Sequence, residues 1–298
     1  MIVNSANLQT LFTGFKASFQ EGLEAAADES YLRFTEVIPS QTSTEEYGWL
    51  GELPSVREWV GDRHIHRMKQ NAYRLTNRDY EHTVAVDRNL IEDDRYGVYG
   101  PRFRIMGRTV AKKAPADCYE ALKQGFSTPC YDGQFFFDTD HPVLDANGNP
   151  LLVSNVQAGS GEPWFLLATN GPVLPVILQT RKAFDFTRLD APVDEPVFMR
   201  REYLYGSHGR HVVGYGFWQT AFGSRAPLTP TNYQAARQAI ASMKGDYGRP
   251  LGLTANLLVC GPANEGAARK ILLSELGAGG ETNEWRGTAE LLVSSWLA

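Results

Sequence analysis

The chain has 298 residues and a mass of 33.1 kDa, enough for one large domain or two modest ones, each with a buried core. Its 43% hydrophobic, 21% charged and 11% aromatic residues exclude a collagen-like rod, a coiled-coil rod and a fully disordered chain. The net charge of −5 lacks the basic excess with which sequence-specific DNA-binding proteins neutralise phosphates.

Cys118, Cys130 and Cys260 form no CxxC pair, so neither a disulfide framework nor a thiolate zinc site is expected, and synthesis in a reducing compartment is. The opening MIVNSANLQT lacks the basic and apolar segments of a signal peptide. No run of about 18 apolar residues is present, so no membrane partner is expected.

The first element in chain order is an amphipathic helix. Leu8, Leu11, Phe12, Phe15, Phe19 and Leu23 recur at helical spacing, and Asn4 or Ser5 can cap it. Residues 40–63 follow as irregular chain carrying Trp49 and Trp59, each able to pin the loop to its own domain or to face a partner. Tyr73 and Leu75, then Tyr80, His82, Val84 and Val86, alternate around a turn at Asn77 to Asp79, which predicts a long β-hairpin. A lone two-stranded hairpin is marginal in water, so it is expected to lie on something else.

Charge along this region is lopsided. Arg57, Arg63, Arg67, Lys69, Arg74 and Arg78 face only Glu58 and Asp62, whereas Asp87, Glu92, Asp93 and Asp94 follow with Arg88 among them. Neighbouring copies could set the basic limb of one against the acidic base of the next; a solvated face of mixed charge is the plainer alternative.

Residues 93–126 predict a helix in two pieces, with Phe103, Met106 and Val110 in the first and Cys118, Tyr119 and Leu122 in the second. Pro115 starts a new turn and Gly125 stops it. Turn signals at Asp132-Gly133 and Asn147-Gly148 mark strand and loop. The segments PWFLL, PVILQ, VFMRREYLYG and HVVGYGFWQTAF between residues 163 and 222 predict a mixed or antiparallel sheet. Thr229 and Pro230 open a helix ending at Gly245. LLVC at 257–260 is a strand leading through Gly261-Pro262 into a helix closed by Gly277, and ELLVSSWLA at the end is a strand.

Catalytic signals are weak. Asp138, Asp140 and His141 could hold a metal ion, yet the plainer reading is that Asp138 and Asp140 end a strand with turn-making hydrogen bonds before Pro142. His64 and His66 share a strand face without further ligands at suitable spacing. The glycine-rich stretches at 159–163 and 277–283 are not phosphate loops, and GxSxG is absent. Trp164 and Trp218 read as core.

The strings GWLGELPSVREWVGDR (48–63), NRDYEHTVAV followed by IEDDRYGVYG, CYDGQFFFDTDHPV, EPWFLL, GYGFWQTAFGS and GDYGRPLGLTANLLV, in this order, resemble the major head subunits of Mu-like phages and prophages over essentially the whole chain. The resemblance implies an α+β protein with the Hong Kong 97-type capsid fold of tailed phages. Residues 1–45 would be an N-terminal arm and 46–92 an extended loop carrying the hairpin. Residues 93–225 would be a peripheral domain with a spine helix, and 226–298 an axial domain that can also take in part of 127–163.

The function so implied is self-assembly into pentamers and hexamers of an icosahedral head around packaged double-stranded DNA, without catalysis or cofactor. Arm and hairpin would reach beyond the globular body to neighbouring copies. Trp59, Arg63, Arg67, Arg74 and Tyr80, with Glu92, Asp93 and Asp94 as acidic counterparts, are the expected inter-subunit contacts. Scaffold or protease, portal and decoration proteins are the further partners, with DNA enclosed irrespective of its sequence. The protein would reside in the virion and, during assembly, in the host cytoplasm. Alternatives are a tail-tube or decoration protein, or a metal-dependent hydrolase using Asp138, Asp140 and His141.

Overall fold

A computed structural model describes residues 4–50, 73–93, 96–171, 173–277 and 279–298. In chain order the first half comprises α1 (Ser5–Ala25), β1 (Thr35–Pro39), β2 (Thr44–Glu46), β3 (Arg74–Thr76), β4 (Arg78–Asp87), α2 (Arg88–Glu92), α3 (Tyr99–Ala111), α4 (Lys113–Gln124), β5 (His141–Leu144) and β6 (Pro150–Val153). The second half comprises β7 (Val156–Gln157), β8 (Trp164–Leu167), β9 (Val176–Leu189), α5 (Glu195–Arg200), β10 (Glu202–Tyr215), β11 (Ala221–Ser224), α6 (Pro230–Ala241), β12 (Lys244–Gly245), β13 (Arg249–Pro250), β14 (Leu257–Cys260), α7 (Pro262–Leu272) and β15 (Glu290–Val293).

The main strands form two sheets, each with its own helices. One has the order β1-β9-β10-β4, with β1 parallel to β9 and the rest antiparallel. Its distal half carries Val86, Phe186, Tyr203 and Tyr205 against α1 and α3, and together these form one buried apolar cluster. The other sheet has the order β15-β14-β8-β11-β7. Every residue of β8, β11 and β14 is buried, and this sheet builds the larger core with α4, α6, α7 and the proximal ends of β9 and β10. The strand-rich segment 163–222 is thus divided between two sheets: β8 and β11 in one, β9 and β10 in the other.

Asn4 caps α1 by accepting the Asn7 N–H at 2.8 Å, and the apolar stripe of α1 buries Leu8, Leu11, Phe15 and Phe19 as its spacing predicts. Phe15 meets Phe103 at 4.5 Å and Phe19 meets Phe186 at 5.0 Å. Two glycines allow the helices to approach this closely. A Cβ on Gly22 would lie 2.0 Å from the Arg104 carbonyl oxygen, and one on Gly107 2.0 Å from that of Phe19. In the single chain α1, which falls within the expected arm, therefore lies on its own body rather than beyond it, because α3 and the sheet already cover its stripe.

The predicted hairpin is corrected. β3 and β4 do not pair with each other: β3 pairs with β2, and β4 runs antiparallel to β10 from Glu202↔Asp87 to His211↔Arg78. Asn77 alone separates them. It is 6% exposed, its amide donates to Ser40 Oγ and the Thr42 carbonyl, and its Oδ1 accepts from Gln179 Nε2. One residue cannot reverse a strand, since even the tightest common hairpins use two. The chain instead passes from one small ladder into the edge of the large sheet, and β10 is what β4 lies on. Residues 51–72, with Trp59, His64 and His66, lie outside the described residues.

The two-piece helix is present, but it breaks at Lys112 rather than at Pro115, which lies in the first turn of α4, where its missing N–H costs no helical bond; Gly125 is at the C-cap of α4. Gly125 serves by its lack of a side chain rather than by a left-handed turn: its φ is −56°, and a Cβ there would meet the Phe137 ring at 2.7 Å. Gly148, in contrast, has φ +83° in the tight turn joining β5 to β6, the conformation that favours glycine.

Three smaller expectations shift. Val197–Arg200 is helical rather than strand, opened by Asp194 and Pro196 and closed by Arg201 at φ 60°. α6 keeps its Thr229 cap but ends at Ala241, and α7 ends at Leu272 before Gly277 is reached. Trp164 and Trp218 are core, at 0% and 1% exposure. Among the described residues no helix is long and apolar enough to cross a membrane.

Candidate assembly surface and buried polar sites

The residues expected to meet neighbouring copies are dispersed along the β4 region. Arg74 leaves β3 and pairs with Glu46 of β2 at 2.5 Å, both well exposed. Glu92, in the last turn of α2, pairs with Arg88 at 2.8 Å, and Asp93 is exposed beside it. Any pairing between copies would exchange these local partners, at small cost because exposed pairs are worth about 0–1 kcal/mol. Arg63, Arg67, Trp59 and Asp94 lie outside the described residues. Trp49 is held edge-on by Tyr47 at 6.0 Å and Phe217 at 6.3 Å, so it pins its loop to its own chain.

Tyr80 is engaged where β4 and β10 meet α4. Its ring stacks on His211 at 4.4 Å, and Lys113 Nζ lies 4.5 Å from the ring centre. His211 Nε2 contacts Asp117 Oδ2 at 2.9 Å, and Lys113 reaches Asp117 Oδ1 at 2.6 Å. Burial raises the Asp117 carboxyl, but the hydrogen bonds from His211 and Lys113 outweigh it and hold the group below the usual carboxylate range. Burial raises the Tyr80 phenol. This polar seam ties the four-stranded sheet to α4.

The metal candidates do not converge. Asp138 spends its carboxylate on the N–H groups of Phe135 and Thr139, and Asp140 accepts the Thr139 hydroxyl at 2.5 Å. His141, 0% exposed, faces elsewhere. Its ring stacks on Trp218 at 4.0 Å, with Nδ1 2.7 Å from Asp132 Oδ2 and Nε2 3.2 Å from Asn155 Oδ1. Asp138 and Asp140 lie in irregular chain just before β5, where their side chains make the local hydrogen bonds of the second reading.

Asn155, which no motif singled out, is the hub of this region. Its Oδ1 accepts the Asp138 N–H at 2.9 Å as well as the His141 contact, and its amide donates to the carbonyls of Phe136, Trp218 and Ala221. Those three carbonyls settle the orientation of the side chain, so Nε2 of His141 is a donor. Cys130 completes the cluster, with Sγ 3.1 Å from Asp132 Oδ1. Cys130, Asp132 and His141 lie close enough together to share an ion, but each already has a hydrogen-bond partner, and desolvation raises the Cys130 thiol far above its ordinary value. The arrangement binds loop to core; it presents neither a nucleophile nor an open coordination position.

A pH dependence follows from the two half-buried carboxylates, Asp117 and Asp132. Burial raises Asp132 as it does Asp117, yet the bond from His141 and that from Cys130 leave it lowered. A carboxyl lowered in the folded state stabilises above its unfolded value of about 3.9 and loses that contribution as pH falls through the folded one. Unfolding midpoints followed from pH 5 downward are therefore expected to drop, and Asp117→Asn should flatten part of that slope. An unchanged slope would refute the assignment.

The comparisons agree with this non-catalytic geometry. The family described as Mu-like prophage major head subunit gpT matches residues 8–297. The chain is 39% identical to the major capsid protein of Escherichia phage Mu, covering 100% of both. It is 38% identical to the Mu-like prophage FluMu major head subunit of Haemophilus influenzae, over 91% of this chain and 90% of that one. Among solved structures, a chain of the bacteriophage JBD30 procapsid matches with a TM-score of 0.84 at 40% identity, covering 99% of this chain and 100% of that one. A chain of the JBD30 capsid matches with a TM-score of 0.80 at 31% identity, covering 100% of both. The phage capsid fold is thereby shown, the hydrolase reading has no support, and the role is structural rather than enzymatic. Sequence and fold lead to one statement: this chain belongs to the Mu-like major head subunits, the capsid proteins of Mu-like phages.

Proposed function

We propose that the subunit assembles as pentamers and hexamers into an icosahedral head that encloses double-stranded DNA without reading its sequence. The observation that carries this reading is the full-length likeness to the JBD30 procapsid subunit. The net charge of −5 supports it, since a mildly acidic wall does not trap the polyanion it surrounds. A scaffold or protease and a portal are its further partners. A decoration protein is supported by a solved JBD30 capsid decorated with minor capsid protein trimers, whose chain is 30% identical to this one. Assembly takes place in the host cytoplasm.

We assign the four-stranded sheet with α1–α4 to the peripheral part and the five-stranded sheet with α6 and α7 to the axial part, α4 packing into the core they share; this moves β8 and β11, which fall within residues 93–225, to the axial part. In this reading the stretch between β2 and β3 contributes an extended loop to a neighbouring copy, while β4 stays in its own sheet. Trp59, Arg63, Arg67 and Arg74 bind there, with Glu92, Asp93 and Asp94 as the acidic counterpart, whereas Tyr80 is held by His211 and Lys113 of its own chain. Electron microscopy of the protein expressed with its scaffold tests the whole: closed shells are expected, whereas tubes or monomers would overturn it. Trp59→Ala is expected to leave a folded subunit that yields no heads, and normal particle yield would remove Trp59 from the interface.

A further inference from the structure

His141 is fully enclosed, and each of its two ring nitrogens has an oxygen within hydrogen-bond reach. Nε2 lies 3.2 Å from Asn155 Oδ1 and Nδ1 2.7 Å from Asp132 Oδ2. A neutral imidazole has one N–H and one lone pair, so it donates at one nitrogen and can only accept at the other. The neighbours on each side decide whether that form fits.

Asn155 settles the Nε2 side. Its amide nitrogen donates to the carbonyls of Phe136, Trp218 and Ala221, while its Oδ1 also accepts the Asp138 N–H. Turning the side chain over would set an oxygen against all of those carbonyls. The atom facing Nε2 is therefore an acceptor, and Nε2 carries hydrogen.

Asp132 settles the Nδ1 side. Nδ1 could accept a hydrogen bond only from a protonated Asp132, yet Oδ1 of the same carboxyl already accepts the Cys130 thiol at 3.1 Å and the Gln134 N–H at 3.1 Å. Donors converging on a carboxyl favour its charged form, and the bonds from His141 and Cys130 leave Asp132 lowered despite its burial. An ionised carboxylate has no hydrogen to give. Nδ1 must supply the one between them, so both nitrogens of the ring are donors.

The surroundings suit a cation. Trp218 lies parallel to the ring, 8° from coplanar at 4.0 Å, and indole is the most favourable aromatic face for a positive charge. The other titratable groups of this region are acids: Asp138 and Asp140 on the chain leading into β5, Cys130 and Tyr131 beside Asp132, and Asp246 beyond Tyr131. Among the described residues the ion pair of Asp132 is with His141, and no lysine or arginine pairs with Asp138 or Asp140.

We propose that His141 is a buried imidazolium, paired with the Asp132 carboxylate and stacked on Trp218, and that this ion pair, rather than a metal ion, closes the loop between α4 and β5 onto the core. An enclosed charge of this kind persists where its hydrogens all find partners, as both do here. A chemical consequence follows for the cluster. Cys130, Asp132 and His141 lie close enough to share an ion, but an imidazolium has no free lone pair, so a metal could enter only by expelling a proton from the ring.

The test reads the ring nitrogens by NMR of the full-length subunit labelled with 15N at histidine. The His141 ring is identified by its through-space contact with Trp218, since the other stacked histidine among the described residues, His211, lies against Tyr80 and Phe184. At pH 7 both of its nitrogens are expected to show the shifts and one-bond couplings of N–H groups, with hydrogens that exchange slowly with water. One nitrogen without hydrogen overturns the proposal. Asp132→Asn should convert the ring to the neutral form protonated at Nε2 alone, because an amide can donate to Nδ1. A ring still doubly protonated in that variant would remove the carboxylate as the cause, and should the variant fail to fold, the wild-type spectrum decides alone. Cobalt(II) added to the wild-type subunit at pH 7 is expected to give no thiolate-to-cobalt absorption. A stoichiometric band that disappears in Cys130→Ser would assign the cluster to a metal ion and overturn the proposal.

Discussion

Valine at position 107 is expected to unseat α1 and destabilise the subunit by about 3–5 kcal/mol, in the range of severe core overpacking or loss of a large buried side chain. The atom that a Cβ would strike at 2.0 Å is the Phe19 carbonyl oxygen, which is backbone and cannot rotate aside. The reciprocal contact at Gly22, 2.0 Å from the Arg104 carbonyl, lies on the other helix of the same pair. Neither helix can yield without moving the other. Separation would loosen Phe15 from Phe103 and Phe19 from Phe186 and stretch the flanking Arg104–Glu21 ion pair, now 2.6 Å. Urea unfolding should show a lower midpoint, and limited proteolysis should release the N-terminal helix first. Gly107→Ala should lie between wild type and valine. A valine variant with an unshifted midpoint would mean that the crossing is looser than the geometry indicates.

The second large effect is expected at Asn155, where leucine of similar size should cost about 4 kcal/mol or abolish soluble expression. The substitution removes five hydrogen bonds at one buried point and leaves the Asp138 N–H, His141 Nε2 and three carbonyls seeking partners. An unpaired buried group costs about 1–3 kcal/mol, and relaxation of the loop recovers part of the total. Asn155→Asp is a sharper control, since it keeps the acceptor but sets a carboxylate oxygen against the three carbonyls. Differential scanning calorimetry on both variants decides the matter. A leucine variant melting within a degree or two of wild type would show that the hub is dispensable.

These sites differ in how far the sequence announces them. The stripe of α1, the Thr229-Pro230 opening of α6, the break between α3 and α4 and the positive-φ turn at Gly148 were all legible, because each depends on residues within a turn or two of one another. The buried state of Trp164 and Trp218 was legible from their place in apolar segments of the chain, although Trp218 falls in a short helical turn between β10 and β11. The head-subunit family was legible too, since its strings span the whole chain. Asn155 was not, because an asparagine between two short strands looks like any loop residue until Phe136, Trp218 and Ala221 surround it. Phe198 and Met199 read as strand, for a helix of six residues is too short to establish a period.

The chain by itself determined most of its longer helices and strands and which face of each is apolar, since side-chain periodicity follows from the backbone repeat alone. It did not determine partners. Tyr80, His82, Val84 and Val86 alternate in the same way whether β4 pairs across a turn with β3 or with β10, and only the three-dimensional fold selected β10. The same holds for the two sheets that share residues 163–222, for His141 turning to Asp132 rather than to Asp138 and Asp140, and for the glycines that let α1 lie on α3. Local spacing is written in covalent order, whereas pairing and close approach depend on shape and burial summed over residues far apart in the chain.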